Sequence, residues 1–320
     1  MLWKHRDTGA DNNFLMRVEP TKDEIGYVGL FNGGDSLLRE AWMGMNDAGF
    51  AIMNTASYNL MPDTAKFKDQ EGVVMAKALK SCRTVADFEK MLADLPKPMG
   101  VQANFGVIDS EGGAAYFETD DYSYRRFDVE NNPDGILIRS NYSFSGEDGT
   151  GYGYVRYNTA DSLIYNELHN GRRITPELFT EGLSRSFYHS LIGRDMYMDD
   201  IVVDQDFIPR NISTSSIVIE GVNHGDNAQD MVMWAALGYP PCASVMPVGL
   251  NAIPQGFGPE GSGWRSHACD EAMELRRKAI PYPGGSGPRY LDMRELRKIN
   301  ERTKACALQN YADSRKKKKK

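Results

Sequence analysis

A β-hairpin is predicted by the stretch Gly44-Met-Asn-Asp-Ala-Gly-Phe-Ala-Ile-Met-Asn-Thr55. Strand-like residues lie on both sides of the turn Asn46-Asp-Ala, and Gly49 can adopt the positive φ angle that tight hairpin turns often require. Both strands are mainly apolar, which indicates a sheet that packs in the protein interior. The hairpin therefore predicts a β-sheet in the first third of the chain, and the flanking segments can be interpreted around it.

The flanking segments predict further strands and then two helices. The first set of strands is expected at Leu2–Arg6, Tyr27–Asn32, Glu40–Met45 and Gly49–Thr55, of which the last two form the hairpin. The helices are expected at Glu71–Ser81 and Val85–Leu95. A second set of strands is predicted at Ala103–Ile108, Ala114–Thr119, Tyr124–Val129 and Ile136–Ser140. Later segments predict helices at Val155–Leu168 and Pro176–Phe187, strands at Ser215–Glu220, Met231–Ala236 and Ala243–Val248, and helices at Ala268–Lys278 and Leu291–Ala307. Such blocks of strands alternating with helix pairs predict an α+β fold with two antiparallel sheets covered by helices.

Composition and charge exclude several classes of protein. The chain has 320 residues, of which 41% are hydrophobic and 25% charged, as in globular proteins and unlike disordered ones. No apolar run approaches the roughly 18 residues of a membrane span. The net charge of −7 includes a basic tail, Arg315–Lys320, so the rest of the chain is strongly acidic, which argues against nucleic acid as a partner. We expect one domain over residues 1–314 and a disordered basic tail over 315–320; weak attraction of the tail to anionic lipid or polymer is the alternative.

The sequence predicts no metal and no cofactor. Its four cysteines form no Cys-x-x-Cys pair, and its five histidines show no ligand spacing. The chain also lacks a Gly-x-Gly-x-x-Gly turn between an early strand and a helix, and it has no phosphate-binding loop. The cysteines are interpreted as small buried apolar residues.

Three polar features interrupt apolar strands. The segment Lys4-His-Arg-Asp-Thr8 places the Asp7 carboxylate among cations at a strand end, where it could orient an amine; a surface ion-pair cluster is the alternative. Asn54 lies within an apolar strand and must find hydrogen-bond partners or meet a ligand. Asn141 ends another apolar strand, where it either faces a cleft or caps the following turn.

Four motifs in sequence order resemble the isopenicillin N acyltransferase-like peptidase family. They are Trp3-Lys-His-Arg-Asp-Thr8, Gly44-Met-Asn-Asp-Ala-Gly-Phe-Ala-Ile52, Ala103-Asn-Phe-Gly-Val-Ile-Asp109 and Arg139-Ser-Asn-Tyr142, and the resemblance spans about residues 1–250. This family belongs to the N-terminal nucleophile (Ntn) hydrolases, whose members include choloylglycine hydrolases and penicillin V acylases. The resemblance implies an αββα four-layer sandwich and attack on a small-molecule amide, with hydrolysis and acyl transfer both open.

The resemblance also implies roles for particular residues. In this family an N-terminal Cys is the nucleophile and its own α-amino group is the base. Asp7 would hold that amine and thiol in register, while Lys4 and Arg6 would favour the thiolate. Asn141 would donate a hydrogen bond to the developing oxyanion, and Asn54 would make a second oxyanion or substrate contact. No cofactor is implied.

Two departures from the family pattern stand out. The chain contains no cysteine one hairpin before the Trp3–Asp7 strand, and its first residues are already strand-like and do not resemble a signal peptide. We therefore expect an N-terminal segment with the nucleophile to be missing and the chain to be inactive as written. Relatives are often exported, so the cellular location stays open. The family's arginine before a late strand is matched only by the nearby Arg210, to which no role is assigned.

Two other functions remain open from the sequence. One is a non-catalytic member of the same fold that binds a small molecule near Trp42, Tyr58 and Tyr142. The other is an enzyme with an internal nucleophile such as Cys82 or Ser140, although neither has the sequence context of a known nucleophile. For an amide hydrolase or acyltransferase, the acyl group and amine that are accepted are expected to depend on loops such as Ser57–Lys68 and Ser143–Tyr154.

Overall fold

Two antiparallel sheets lie between two layers of helices in the computed structural model, which describes residues 1–61, 66–281 and 289–317. The larger sheet has seven strands in the order β2-β3-β4-β5-β6-β7-β8: β2 Asn13–Val18, β3 Tyr27–Asn32, β4 Met43–Asn46, β5 Ala51–Ala56, β6 Ala103–Ile108, β7 Ala114–Thr119 and β8 Tyr124–Asp128. The smaller sheet has four strands in the order β1-β12-β13-β14: β1 Leu2–Asp7, β12 Ser213–Glu220, β13 Val232–Leu237 and β14 Val245–Val248. The predicted α+β fold is confirmed.

The remaining elements are helices and short strand pairs. The helices are α1 Glu71–Ser81, α2 Val85–Asp94, α3 Tyr154–His169, α4 His267–Ala279 and α5 Met293–Lys317. Two minor ladders join β9 Tyr188–His189 with β10 Arg194–Asp195, and β11 Ile201–Val203 with β15 Tyr290–Asp292. Most predicted bounds agree with these within two residues, because local periodicity and turn residues determine them.

Three apolar cores define the order of the layers. Between the two sheets, Leu15 and Met53 of the larger sheet share a core with Met233 of the smaller one. On the outer face of the larger sheet, Phe117 packs edge-to-face on Phe88 of α2, with ring centroids 5.2 Å apart. On the outer face of the smaller sheet, side chains of β13 pack on α5. The layer order is therefore α1/α2, seven-stranded sheet, four-stranded sheet and α4/α5, as the αββα prediction requires.

The side chain of Asn46 connects the turn of the hairpin to the helix layer on the larger sheet. Its fully buried side chain donates to the carbonyls of Leu79 and Cys82, at 2.9 and 2.8 Å, and so ties the turn to the end of α1. Its Oδ1 accepts hydrogen bonds from the backbone N–H groups of Ala48 and Phe50. One side chain thus joins the sheet to its helix layer.

We expect Asn46→Ala to lower the free energy of unfolding by about 3 kcal/mol, because it leaves several buried backbone groups without partners. Urea unfolding followed by circular dichroism measures the change. Asn227→Ala is the matched control, since this exposed amide makes a single turn contact to the N–H of Gln229. A loss at Asn46 no larger than at Asn227 would contradict this role.

Four sequence predictions differ from the structure. The segment 136–140 is not a strand. The carbonyl of Ser140 accepts hydrogen bonds from the side chains of Thr55 and Asn104 instead of from the backbone of a neighbouring strand. The predicted helix at Pro176–Phe187 is a short π-helical turn, Leu178–Gly182, followed by one 3-10 turn. Strand β2 was not predicted. Residues 282–288, between the last two predicted helices, lie outside the described residues. Helix α5 extends beyond its predicted end at Ala307 into the predicted tail, where Arg315 pairs with Glu177.

Candidate functional site

A cavity of about 930 Å³ runs along the full length of β1. All of Met1–Thr8 line it, and the facing wall is formed by α3 and by residues 136–141. Within the described ranges, β1 is paired only with β12, so its second edge has no strand partner. The cavity therefore lies beside an open strand edge, where backbone N–H and C=O groups are available for hydrogen bonding.

Asp7 lines this cavity and is held by Arg210, which lies just before β12, and by Ser213, the first residue of β12. Its Oδ2 accepts hydrogen bonds from Nε and Nη2 of Arg210, the former at 2.8 Å, across 203 residues of sequence. Its Oδ1 accepts from the Ser213 hydroxyl at 2.5 Å. These hydrogen bonds fix the orientation of the Asp7 carboxylate at the end of β1. Sequence reasoning assigned no role to Arg210 and did not identify Ser213, since nothing local links them to Asp7.

Lys4 and Arg6 point to the opposite face of β1 from Asp7, because side chains alternate along a strand. Lys4 Nζ donates to Asn54 Oδ1 at 2.6 Å and to the carbonyl of Trp42 at 2.8 Å. Arg6 lies over the Trp42 ring, 4.8 Å from its centroid. Burial, reinforced by Arg6, lowers the pKa of Lys4 well below its usual value. The cation paired with Asp7 is therefore Arg210, and the Lys4–Asn54 pair forms a second polar group in the cavity.

Asn141 lies in the wall that faces β1. Its Nδ2 donates to the carbonyl of Ala56 at 3.0 Å, and its Oδ1 accepts from Nη2 of Arg156 at 2.6 Å. Arg156 also pairs with Asp206 at 3.0 Å and interacts electrostatically with Asp7. The amide of Asn141 is therefore fixed in orientation, with one of its two N–H bonds used by the protein. Arg156 was not predicted, because a lone arginine on a helix carries no sequence signal.

A buried ion pair anchors the loop that carries Asn141. Arg139 Nε donates to Glu118 Oε1 at 2.7 Å, and both side chains are at most 1% exposed. The same carboxylate accepts from the backbone N–H groups of Phe144 and Ser145, at 2.9 and 2.7 Å. This clamp joins β7 to both sides of Asn141 and defines the wall of the cavity. The loop Ser143–Tyr154, which is expected to shape ligand selectivity, is held near its start by this clamp.

One end of the cavity is an apolar lobe. It is lined by Trp3, Ile136, Ile138, Ile164, Leu168, Ile174 and Phe179. At the cavity rim, the exposed rings of Tyr58 and Tyr152 meet edge-to-face with centroids 5.4 Å apart. The lobe is suited to an aliphatic or aromatic group, since such a ligand buries apolar surface there.

The chain's own cysteines lie outside the cavity, and all four are within the described ranges. Burial raises the pKa of Cys82 and Cys269 to about 11 and that of Cys242 to about 12, which disfavours the reactive thiolate. Cys306 is exposed on α5. Ser140 lines the cavity, but its hydroxyl has no hydrogen-bond partner, and hence no base, among the described residues. The structure thus offers no support for an internal nucleophile at Cys82 or Ser140.

Over the described residues, no group of His, Cys, Asp and Glu is arranged to hold a metal ion. A search of the same residues for a helix long and apolar enough to cross a membrane finds none.

Comparison with known proteins gives matches among solved structures alone, since no family model and no curated protein matches the chain. An N-acylethanolamine-hydrolyzing acid amidase ortholog from Caenorhabditis elegans has 13% identity and a TM-score of 0.44, covering 67% of this chain and 84% of its own. A mutant conjugated bile acid hydrolase from Clostridium perfringens has 11% identity and a TM-score of 0.44, covering 79% and 89%. Penicillin V acylase from Agrobacterium tumefaciens has 11% identity and a TM-score of 0.43, covering 78% and 82%. Penicillin V acylases are among the members of the group that the sequence motifs resemble, and likenesses this distant assign no family, activity or substrate to the chain.

Proposed function

We propose that this chain is the scaffold of a cysteine Ntn-type hydrolase or acyltransferase that cleaves the C–N bond of a small amide through an acyl-enzyme. The observation that carries the proposal is the cavity along the open edge of β1, which has Asp7 at one end and Asn141 in its facing wall. An amide carbonyl in this cavity would have a fixed carboxylate and a fixed side-chain amide within one enclosure. The apolar lobe favours an apolar acyl group.

The nucleophile would come from an extended segment that pairs with the open edge of β1. A six-residue strand spans about 20 Å, and β1 presents that length to the cavity. A segment with Cys as its first residue would bring the thiol and the α-amino group beside Asp7, whose carboxylate accepts hydrogen bonds from amines. The chain's own cysteines lie elsewhere, so we infer that activity requires this additional segment.

In the proposed reaction the α-amino group takes the thiol proton and the sulfur attacks the amide carbon. The negative charge that develops on the carbonyl oxygen is stabilised by the second N–H bond of Asn141, a contribution typically worth about 10²–10³ in rate. Collapse of the intermediate breaks the C–N bond, and the leaving amine takes the proton. Water, or a second amine in an acyl transfer, then attacks the thioester and restores the thiol. Lys4 and Asn54 would bind a polar part of the substrate.

We expect the chain extended upstream to an N-terminal Cys to release p-nitroaniline in a burst from octanoyl p-nitroanilide and to gain one octanoyl group in its intact mass. The chain that begins at Met1 should show neither, and iodoacetamide should abolish both in the extended protein. The matched control is the extended chain with Ala in place of that Cys. Turnover by the Met1 chain, or an extended chain that acquires no acyl group, would contradict the proposal.

A second candidate is a non-catalytic protein that uses the same cavity for binding. The exposed Tyr58–Tyr152 pair at its rim favours this function, because such rings bind apolar or planar ligands without any chemistry. Under this alternative the extended chain binds octanoyl compounds and forms no acyl-enzyme.

A further inference from the structure

Lys4 places a primary amine in the wall of the cavity. Its side chain is buried, and it lines the cavity together with both of its hydrogen-bond partners, Trp42 and Asn54. The described residues offer its Nζ atom two acceptors, both of them neutral oxygens, and no carboxylate. A buried charge without a counter-ion is costly, so an amine in this position favours its uncharged form.

The hydrogen bonds of Nζ match an uncharged amine. An ammonium group has three hydrogens to donate, whereas an amine has two hydrogens and a lone pair. The carbonyl of Trp42 and Oδ1 of Asn54 accept two hydrogens, at 2.8 and 2.6 Å from Nζ. In the uncharged form of Lys4 both hydrogens are therefore used and the lone pair is left for a ligand. The charged form would leave a third hydrogen without an acceptor among the described residues.

A second cation lies beside Lys4. The guanidinium carbon of Arg6 and Nζ of Lys4 lie 4.8 and 6.0 Å from the centroid of the same Trp42 ring. Arg6 donates to the side-chain oxygens of two asparagines, which are also neutral. A guanidinium group holds its proton more tightly than an amine does, so Arg6 retains its charge and disfavours a second one. Burial and Arg6 lower the pKa of Lys4 well below its usual value, opposed by Glu71.

We propose that Lys4 is a nucleophilic amine that binds aliphatic aldehydes covalently in this cavity, as imines. A lysine that is desolvated, or that lies next to another cation, is activated to attack carbonyl groups, and Lys4 meets both conditions. The apolar lobe begins at the neighbouring residue Trp3, and an aliphatic chain buries apolar surface there. The reaction requires no cysteine, so this inference goes beyond the proposed function and does not rest on it.

The atoms of the reaction balance without a further reactant. The lone pair of Nζ forms a bond to the aldehyde carbon, and a proton passes from nitrogen to the carbonyl oxygen. The resulting hydroxyl group then leaves with the second amine hydrogen as water. A C=N bond remains between Lys4 and the former aldehyde carbon.

Reductive trapping tests the proposal on the chain that begins at Met1. Sodium cyanoborohydride reduces an imine to a stable secondary amine, so incubation with octanal at pH 7 should leave an octyl group on Lys4. Peptide mapping should show labelling of Lys4 about 100-fold faster than that of the exposed Lys298, because an ordinary lysine amine is almost fully protonated at this pH. Labelling of Lys4 no faster than that of Lys298 would overturn the proposal.

Three variants separate the amine from its surroundings. Lys4→Arg retains a cation and hydrogen-bond donors but offers no nucleophile, so labelling at this position should disappear. Asn54→Asp replaces the neutral acceptor by a carboxylate of the same shape, which should hold the proton on Lys4 and slow its labelling about 10- to 100-fold. Lys298→Arg is the matched surface control and should leave labelling of Lys4 unchanged. Undiminished labelling of Lys4 in Asn54→Asp would overturn the proposal.

A shorter aldehyde tests the ligand class. Propanal has the same reactive group as octanal and differs from it in chain length alone. We expect octanal to label Lys4 at least about 10-fold faster than propanal at equal low concentration, because its longer chain buries more apolar surface in the lobe. Equal labelling of Lys4 by the two aldehydes would overturn the aliphatic ligand class, and failure of both to label it would overturn the nucleophile.

Discussion

Asp7→Asn in the extended protein should reduce the acyl-enzyme burst by about 10²- to 10⁴-fold and leave the fold intact. The neutral amide retains the shape of the carboxylate, but it can no longer pair with the Arg210 guanidinium or hold an ammonium group in register. Burst amplitude and rate with octanoyl p-nitroanilide measure the effect, and circular dichroism reports on the fold.

The control for this substitution is a second Asp–Arg pair. Asp199 accepts a hydrogen bond from Arg194 at the protein surface, away from the cavity lining. Asp199→Asn should therefore leave the burst unchanged. An Asp7→Asn variant that is as active as this control would remove Asp7 from the mechanism.

Glu118→Ala should lower the free energy of unfolding by about 3–5 kcal/mol, the largest effect on stability that we expect from one substitution. It leaves Arg139 as an unpaired charge in a fully enclosed site, and it removes the acceptor of two backbone N–H groups in the loop after Asn141. Urea unfolding followed by circular dichroism measures the loss.

Two further variants show whether the Glu118–Arg139 ion pair is responsible for the loss of stability. The double substitution Glu118→Leu with Arg139→Met should recover much of the loss, because apolar side chains of similar size remove the unpaired charge. Glu89→Ala breaks the half-exposed pair with Arg126 and should cost less than about 1 kcal/mol. If Glu118→Ala lowers the free energy of unfolding no more than Glu89→Ala does, the Glu118–Arg139 pair does not stabilise the fold as we expect.

The sequence predicted the local elements well, because their signals are local. The hairpin around Asn46 follows from its turn residues, and α2 begins after Thr84 because that side chain and Asp87 satisfy each other's backbone N–H groups. Ile136–Ser140 was misassigned for the same reason: an apolar run predicts a strand wherever it occurs, and only the surrounding side chains show that it lines a cavity.

The sequence by itself determined most strands and helices of the two sheets and their outer layers, the acidic charge and the polar positions Asp7, Asn54 and Asn141. Only the tertiary structure placed β1 in the smaller sheet beside β12 and brought Arg210 to Asp7. It also placed Lys4 beside Asn54 and Trp42, and Arg6 over the Trp42 ring, on the face of β1 opposite to Asp7. The physical reason is that contacts between residues some 200 positions apart depend on sheet pairing and side-chain direction, for which a local pattern of residues carries no signal.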